Sequence, residues 1–171
     1  MKNLIFIILV ILFSQSNSFS QIDSTLQSPK FKHSVGFALG MTTGYGLSYR
    51  YNLNKFEFQI AFAPVKTSYE TRINTGLTIF YKLVETKYTY FFIYQGNSYL
   101  YTKGMDYLYD NAQTEPKEEI TEHHEFNNGI CIGIRFIILS RVGLQFMAGY
   151  ASLNNFQEIN FTGETGVYFR F

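Results

Sequence analysis

The chain has 171 residues and a formal charge of +1, so length allows one domain and overall charge gives no reason to expect a nucleic-acid partner. Charged residues make up only 16%, against ~25% in an average soluble domain, while Phe and Tyr alone supply the 19% aromatic content. Cys131 is the single cysteine, which excludes an internal disulfide framework and a cysteine-based zinc site.

Residues 1–20 read as a separate object. Lys2 precedes the apolar run Leu4 to Phe13, and small Ser18 and Ser20 follow. This pattern predicts a signal peptide cleaved before Gln21. The run is shorter than the ~20 apolar residues a spanning helix needs. Residues 21–33 then lead to the first strand as a periplasmic segment.

From Ser34 the chain alternates with period 2, the mark of strands with two different faces. The first strand sets Val35, Phe37, Leu39 and Met41 against Ser34, Gly36, Ala38 and Gly40. After a tight connection at residues 42–44, Tyr45, Leu47, Tyr49, Tyr51 and Leu53 oppose Gly46, Ser48, Arg50 and Asn52. Phe56, Phe58, Ile60 and Phe62 then oppose Glu57, Gln59, Ala61 and Ala63. A loop is expected at 64–72, followed by Ile73, Thr75, Leu77, Ile79 and Tyr81 against Asn74, Gly76, Thr78, Phe80 and Lys82.

In the fifth strand Tyr88, Tyr90, Phe92 and Tyr94 share a face, although Phe91 and Ile93 make the other face bulky too. A long polar loop is expected over about 95–125. The sixth strand sets Ile130, Ile132, Ile134 and Phe136 against Gly129, Cys131, Gly133 and Arg135. The seventh sets Val142, Leu144, Phe146, Ala148 and Tyr150 against Gly143, Gln145, Met147 and Gly149. The last sets Phe161, Thr165, Val167, Phe169 and Phe171 against Thr162, Glu164, Gly166, Tyr168 and Arg170.

Eight strands of this length suit an antiparallel up-and-down barrel crossing a bilayer, where a tilted strand needs about 9–11 residues. The small face, rich in glycine, fits a narrow lumen, and the large apolar face fits lipid. A lipocalin-like barrel would reverse the faces. With both termini periplasmic, the even connections come out short and most odd ones longer, as in such barrels. Aromatics then fall into two belts, with Tyr51, Phe56, Tyr81, Tyr88, Phe136 and Phe171 at the periplasmic edge. Tyr45, Phe62, Tyr94, Tyr150 and Phe161 form the outer belt.

Glu164, Gly166, Phe169 and Phe171 form a polar–x–Gly–x–x–apolar–x–aromatic ending. It resembles the terminal signal read by the outer-membrane assembly machinery. With the alternation and the leader, residues 34–171 resemble small eight-stranded outer-membrane barrels of the OmpA/OmpX type. That resemblance implies an outer-membrane location in a Gram-negative-type envelope, lipid and assembly machinery as partners, a monomer, and no cofactor.

The inward parity holds Arg50, Glu57, Lys82, Arg135, Glu164 and Arg170, read as a paired plug rather than a gate. His123 and His124 lie among glutamates, but strand neighbours point to opposite faces and chelate poorly together. A lipid-modifying enzyme would need His and Ser near the outer leaflet, and the one His–Ser pair, His33–Ser34, falls at the periplasmic edge. A structural or surface-interaction barrel is therefore the main reading, with a lipid-modifying enzyme or small gated pore as the alternative. The Tyr-rich, acidic stretch 95–125 is the candidate surface for an extracellular ligand.

Overall fold

The computed structural model describes residues 31–108 and 117–171. The expected signal peptide and all but the last three residues of the periplasmic segment lie outside the described residues. Eight antiparallel strands close into one barrel in chain order. They are β1 (His33–Leu39), β2 (Gly46–Leu53), β3 (Phe56–Lys66) and β4 (Glu70–Glu85), then β5 (Thr89–Leu108), β6 (Lys117–Ile138), β7 (Val142–Leu153) and β8 (Glu158–Arg170). The ring closes between β1 and β8, with Ser34 opposite Arg170 and Leu39 opposite Thr165. Phe171 completes that seam: its N–H donates to the His33 carbonyl at 2.9 Å, and the His33 N–H donates back at 3.2 Å.

Alternation dictates the faces. Val35, Phe37, Leu47, Ile60, Leu77, Ile132, Phe146 and Val167 all point outward and are exposed, Ile132 at 66%. Their strand neighbours point into the lumen and are largely shielded, Arg50 with 2% and Gln59 with 0% exposure. A barrel with its large aliphatics outside and its arginines inside is the inverse of a water-soluble one.

β5 departs from the sequence reading. Tyr90, Phe92 and Tyr94 point inward and are buried, whereas Phe91 and Ile93 are exposed. Tyr94 therefore does not belong to the outer aromatic belt. The reason is volume: Phe92 lies opposite Gly133 and Tyr94 opposite Cys131, so bulk on β5 fills room left by small residues on β6.

The expected loops are also mostly strand. Pro64 pairs with Ile73 and Lys66 with Thr71, so the connection between β3 and β4 shrinks to residues 67–69. Within 95–125, β5 and β6 stay paired from Gln95–Ile130 out to Leu108–Lys117, and residues 109–116 lie outside the described residues. At ~3.3 Å per residue, the 20-residue β5 and 22-residue β6 run far beyond the ~30 Å apolar layer of a bilayer.

The opposite end has short turns. Asn54 takes φ 53° in the two-residue connection from β2 to β3, a left-handed conformation that Asn tolerates well.

Candidate functional site

Two regions hold the chemistry: the lumen and the projecting β5–β6 hairpin. Across the lumen, the Arg135 Nη1 and Nη2 groups donate to Glu57 Oε1 and Oε2 at 2.8 and 2.6 Å. This is the bidentate geometry that makes arginine–carboxylate pairs strong. Gln145 Oε1 accepts from Arg135 Nη2 at 3.2 Å and from Arg50 Nη1 at 2.6 Å, so one amide bridges two guanidinium groups. Arg50 Nε donates to Gln59 Oε1 at 2.8 Å. The Arg50 guanidinium also lies 3.4 Å from the Tyr168 ring centroid and 4.6 Å from that of Phe80, a stacked arrangement that suits arginine.

Arg50, Glu57 and Arg135 thus form one network. Lys82 stands apart from it, donating to Asn52 Oδ1 at 3.1 Å and lying 3.5 Å from Glu85. Arg170 lies over the rings of Phe31 and Tyr90, at 5.2 and 5.5 Å. Above the arginine network, Phe80, Phe92, Tyr94, Cys131 and Met147 pack as an apolar layer.

Glu164 serves a different group. The connection between β1 and β2 does not project outward as a loop; it folds into the lumen, with Thr42 and Thr43 fully buried. Thr42 N–H and Oγ1–H donate to Glu164 Oε1 at 2.8 and 2.7 Å, and Thr43 N–H donates to Oε2 at 3.2 Å. Tyr45 N–H donates to Asn74 Oδ1 at 2.9 Å, fixing the way out. The wall must be bare for this backbone to enter. A Cβ on Gly76 would stand 2.1 Å from the Thr43 carbonyl oxygen, and one on Gly96 2.9 Å from that of Thr42. The inward turn also explains why β1 has only 7 residues.

On the hairpin, the outward-facing Lys103 donates to Glu122 at 2.7 Å. That hydrogen bond holds the exposed Glu122 carboxyl below the ordinary carboxylate value. Tyr99 OH and His124 Nδ1 are 2.6 Å apart, and the Tyr101 ring lies 5.1 Å from His124. His123 instead faces Glu125 at 3.2 Å, on the other side of the strand. Among the described residues no group of His, Cys, Asp and Glu is arranged to hold a metal ion. His33 packs outward against Tyr51 and Phe171, with ring centroids 5.4 and 5.9 Å away, and its strand neighbour Ser34 faces inward.

A closed eight-stranded barrel with an apolar exterior and a filled polar lumen is the class these features define. The chain is similar to the N-terminal β-barrel domain of Pseudomonas aeruginosa OprF at 14% identity and TM-score 0.47, over 81% of this chain and 95% of that one. It is also similar to Neisserial surface protein A at 13% identity and TM-score 0.49, over 81% and 94% of the two chains. No protein-family model matches the chain, and no curated protein sequence matches it.

Proposed function

We propose that this protein is a monomeric outer-membrane barrel, with a structural and surface-interaction role and no enzymatic activity. The observation that carries this reading is the inversion of faces: isoleucine and phenylalanine outside, a charged and amide-rich network inside. In water that exterior would be a large aggregation-prone surface. In lipid it is the expected one, and closure leaves no backbone edge unpaired in hydrocarbon. The lumen charges act as a plug, because stacked arginines, the Phe80 layer and the inward turn occupy successive levels. A conducting pore is disfavoured on the same ground. A lipid-modifying site is disfavoured because His33 and Ser34 face opposite ways.

The β5–β6 hairpin is the candidate ligand surface, since Tyr99, Tyr101 and His124 stand together beyond the apolar belt. Cell fractionation tests the location. The protein is expected with the outer membrane, as a mature chain beginning at Gln21; recovery in the soluble periplasmic fraction would contradict the reading.

Glu164, Gly166, Phe169 and Phe171 are proposed to form the assembly signal. Deleting Phe171 is expected to lower the folded fraction on unboiled gels by removing both the recognised aromatic and the last bonds of the β1–β8 seam. Undiminished folded barrel would refute this role.

A further inference from the structure

The two rims of the barrel differ in charge. At the rim where β1 begins and β8 ends, each place where the chain turns or enters carries one exposed cation. Lys32 precedes β1, Lys55 lies between β2 and β3, Lys87 between β4 and β5, and Arg141 between β6 and β7. Among the described residues none of these four makes an ion pair, and the exposed side-chain carboxylate of Glu85 at this rim lies next to Lys82. The other rim is different. There Arg72 is paired with Glu70 and Lys103 with Glu122, each at 2.7 Å; Lys66 is exposed without an ion pair among the described residues, but Glu125 and Glu158 add negative charge at the same rim.

Three of these cations lie at or beside aromatic rings of the girdle. Lys87 Nζ lies 5.2 Å from the ring centroid of Tyr88, and the Arg141 guanidinium lies 5.8 and 5.9 Å from those of Phe31 and Phe169. Phe56, next to Lys55, packs on Tyr81 at 5.1 Å. Cations resting on an aromatic girdle keep their stems on apolar surface and their heads at the level of polar lipid headgroups. An unpaired ring of positive charge at that level complements phosphodiester groups that carry net negative charge.

We infer that this rim is a docking ring for anionic phospholipid headgroups, so that the barrel selects phosphatidylglycerol-like lipid over zwitterionic lipid in the leaflet it faces. The inference rests on the membrane reading above. The ring also orients the barrel, since it draws the turn end, not the hairpin end, toward an anionic leaflet.

Native mass spectrometry of the folded, detergent-solubilised barrel tests it by titration with phosphatidylglycerol and with phosphatidylcholine of the same acyl chains. Wild-type protein is expected to bind phosphatidylglycerol at least about tenfold more tightly, since each cation near an anionic surface is worth roughly fivefold at low salt. The K55Q/K87Q/R141Q variant is expected to lose that preference while still binding both lipids. The K66Q/K103Q variant, altered at the opposite rim, is expected to keep it. The substituted positions are exposed, and heat-modifiable mobility verifies that each variant is folded.

Equal affinity of wild type for the two lipids overturns the inference. So does a preference that survives in K55Q/K87Q/R141Q or disappears in K66Q/K103Q. Displacement of the lipid by inorganic phosphate alone would assign the ring to free phosphate instead. Loss of binding to isolated peptidoglycan in K55Q/K87Q/R141Q, with lipid preference intact, would assign it to the cell wall. Failure to bind either lipid overturns the membrane reading itself, and is distinguishable from a barrel that binds both equally.

Discussion

Replacing Glu57 by alanine is expected to destabilise the folded barrel by about 3–5 kcal/mol, because it strands a buried guanidinium. Arg135 loses both bonds to the carboxylate, at 2.8 and 2.6 Å, and its remaining hydrogen bonds are the long ones with Gln145. Arg50 already draws on the same Gln145 oxygen, so two cations would share one neutral acceptor. Glu57→Gln, which retains an acceptor but not the charge, is expected to cost less. Removing the charge on both sides, as in Glu57→Met with Arg135→Met, is expected to be near neutral, since a buried pair barely offsets its own desolvation. Urea titrations in lipid vesicles measure all three. A Glu57→Ala cost below about 1 kcal/mol would mean that the pair is hydrated and the lumen is not sealed.

Neighbouring positions on β6 should respond in opposite ways. Ile132 is outward and 66% exposed. Ile132→Leu should cost little, because fluid lipid imposes no shape, while Ile132→Arg should cost about 2–4 kcal/mol near the bilayer middle. Gly133 faces the lumen, where a Cβ would stand 2.5 Å from the Phe92 ring and 2.8 Å from Met147 Cγ. Gly133→Leu should therefore overpack the lumen by roughly 1–3 kcal/mol or more. The same titrations compare the variants. A silent Gly133→Leu beside a costly Ile132→Leu would invert the faces and remove the membrane reading.

Most of the fold was legible because lipid and lumen demand different residue sizes. On β1, β2, β6, β7 and β8 that demand leaves aliphatics and glycines on opposite parities, and the strands follow directly. β5 was misread because Phe91 and Ile93 match Phe92 and Tyr94 in bulk. Gly96 held the answer, since it shares parity with Tyr90, Phe92 and Tyr94, and most strand glycines, Gly36, Gly76, Gly129 and Gly133 among them, face the lumen. The hairpin was hidden for another reason: beyond the bilayer both faces meet water, so alternation stops while backbone pairing continues.

The six inward charges could be placed on one face from parity alone, but not paired. The pairing of Arg135 with Glu57, on β6 and β3, depends on the curvature of the closed barrel. The inward turn was invisible for the same reason, since Glu164 is 122 positions from Thr42. A cue existed in the short connection at residues 42–44 and in Gly76, Gly96 and Gly129, whose bare backbones give it room.

The central claim is that the apolar face meets lipid, and it can be read optically because the chain contains no tryptophan. A single reporter is introduced as Ile132→Trp in one protein and as Phe92→Trp in another, each folded into vesicles with brominated acyl chains. Strong quenching of the Ile132→Trp emission, with the Phe92→Trp emission largely spared, is the predicted result. Quenching at Phe92→Trp with none at Ile132→Trp, or none at either, would contradict the account.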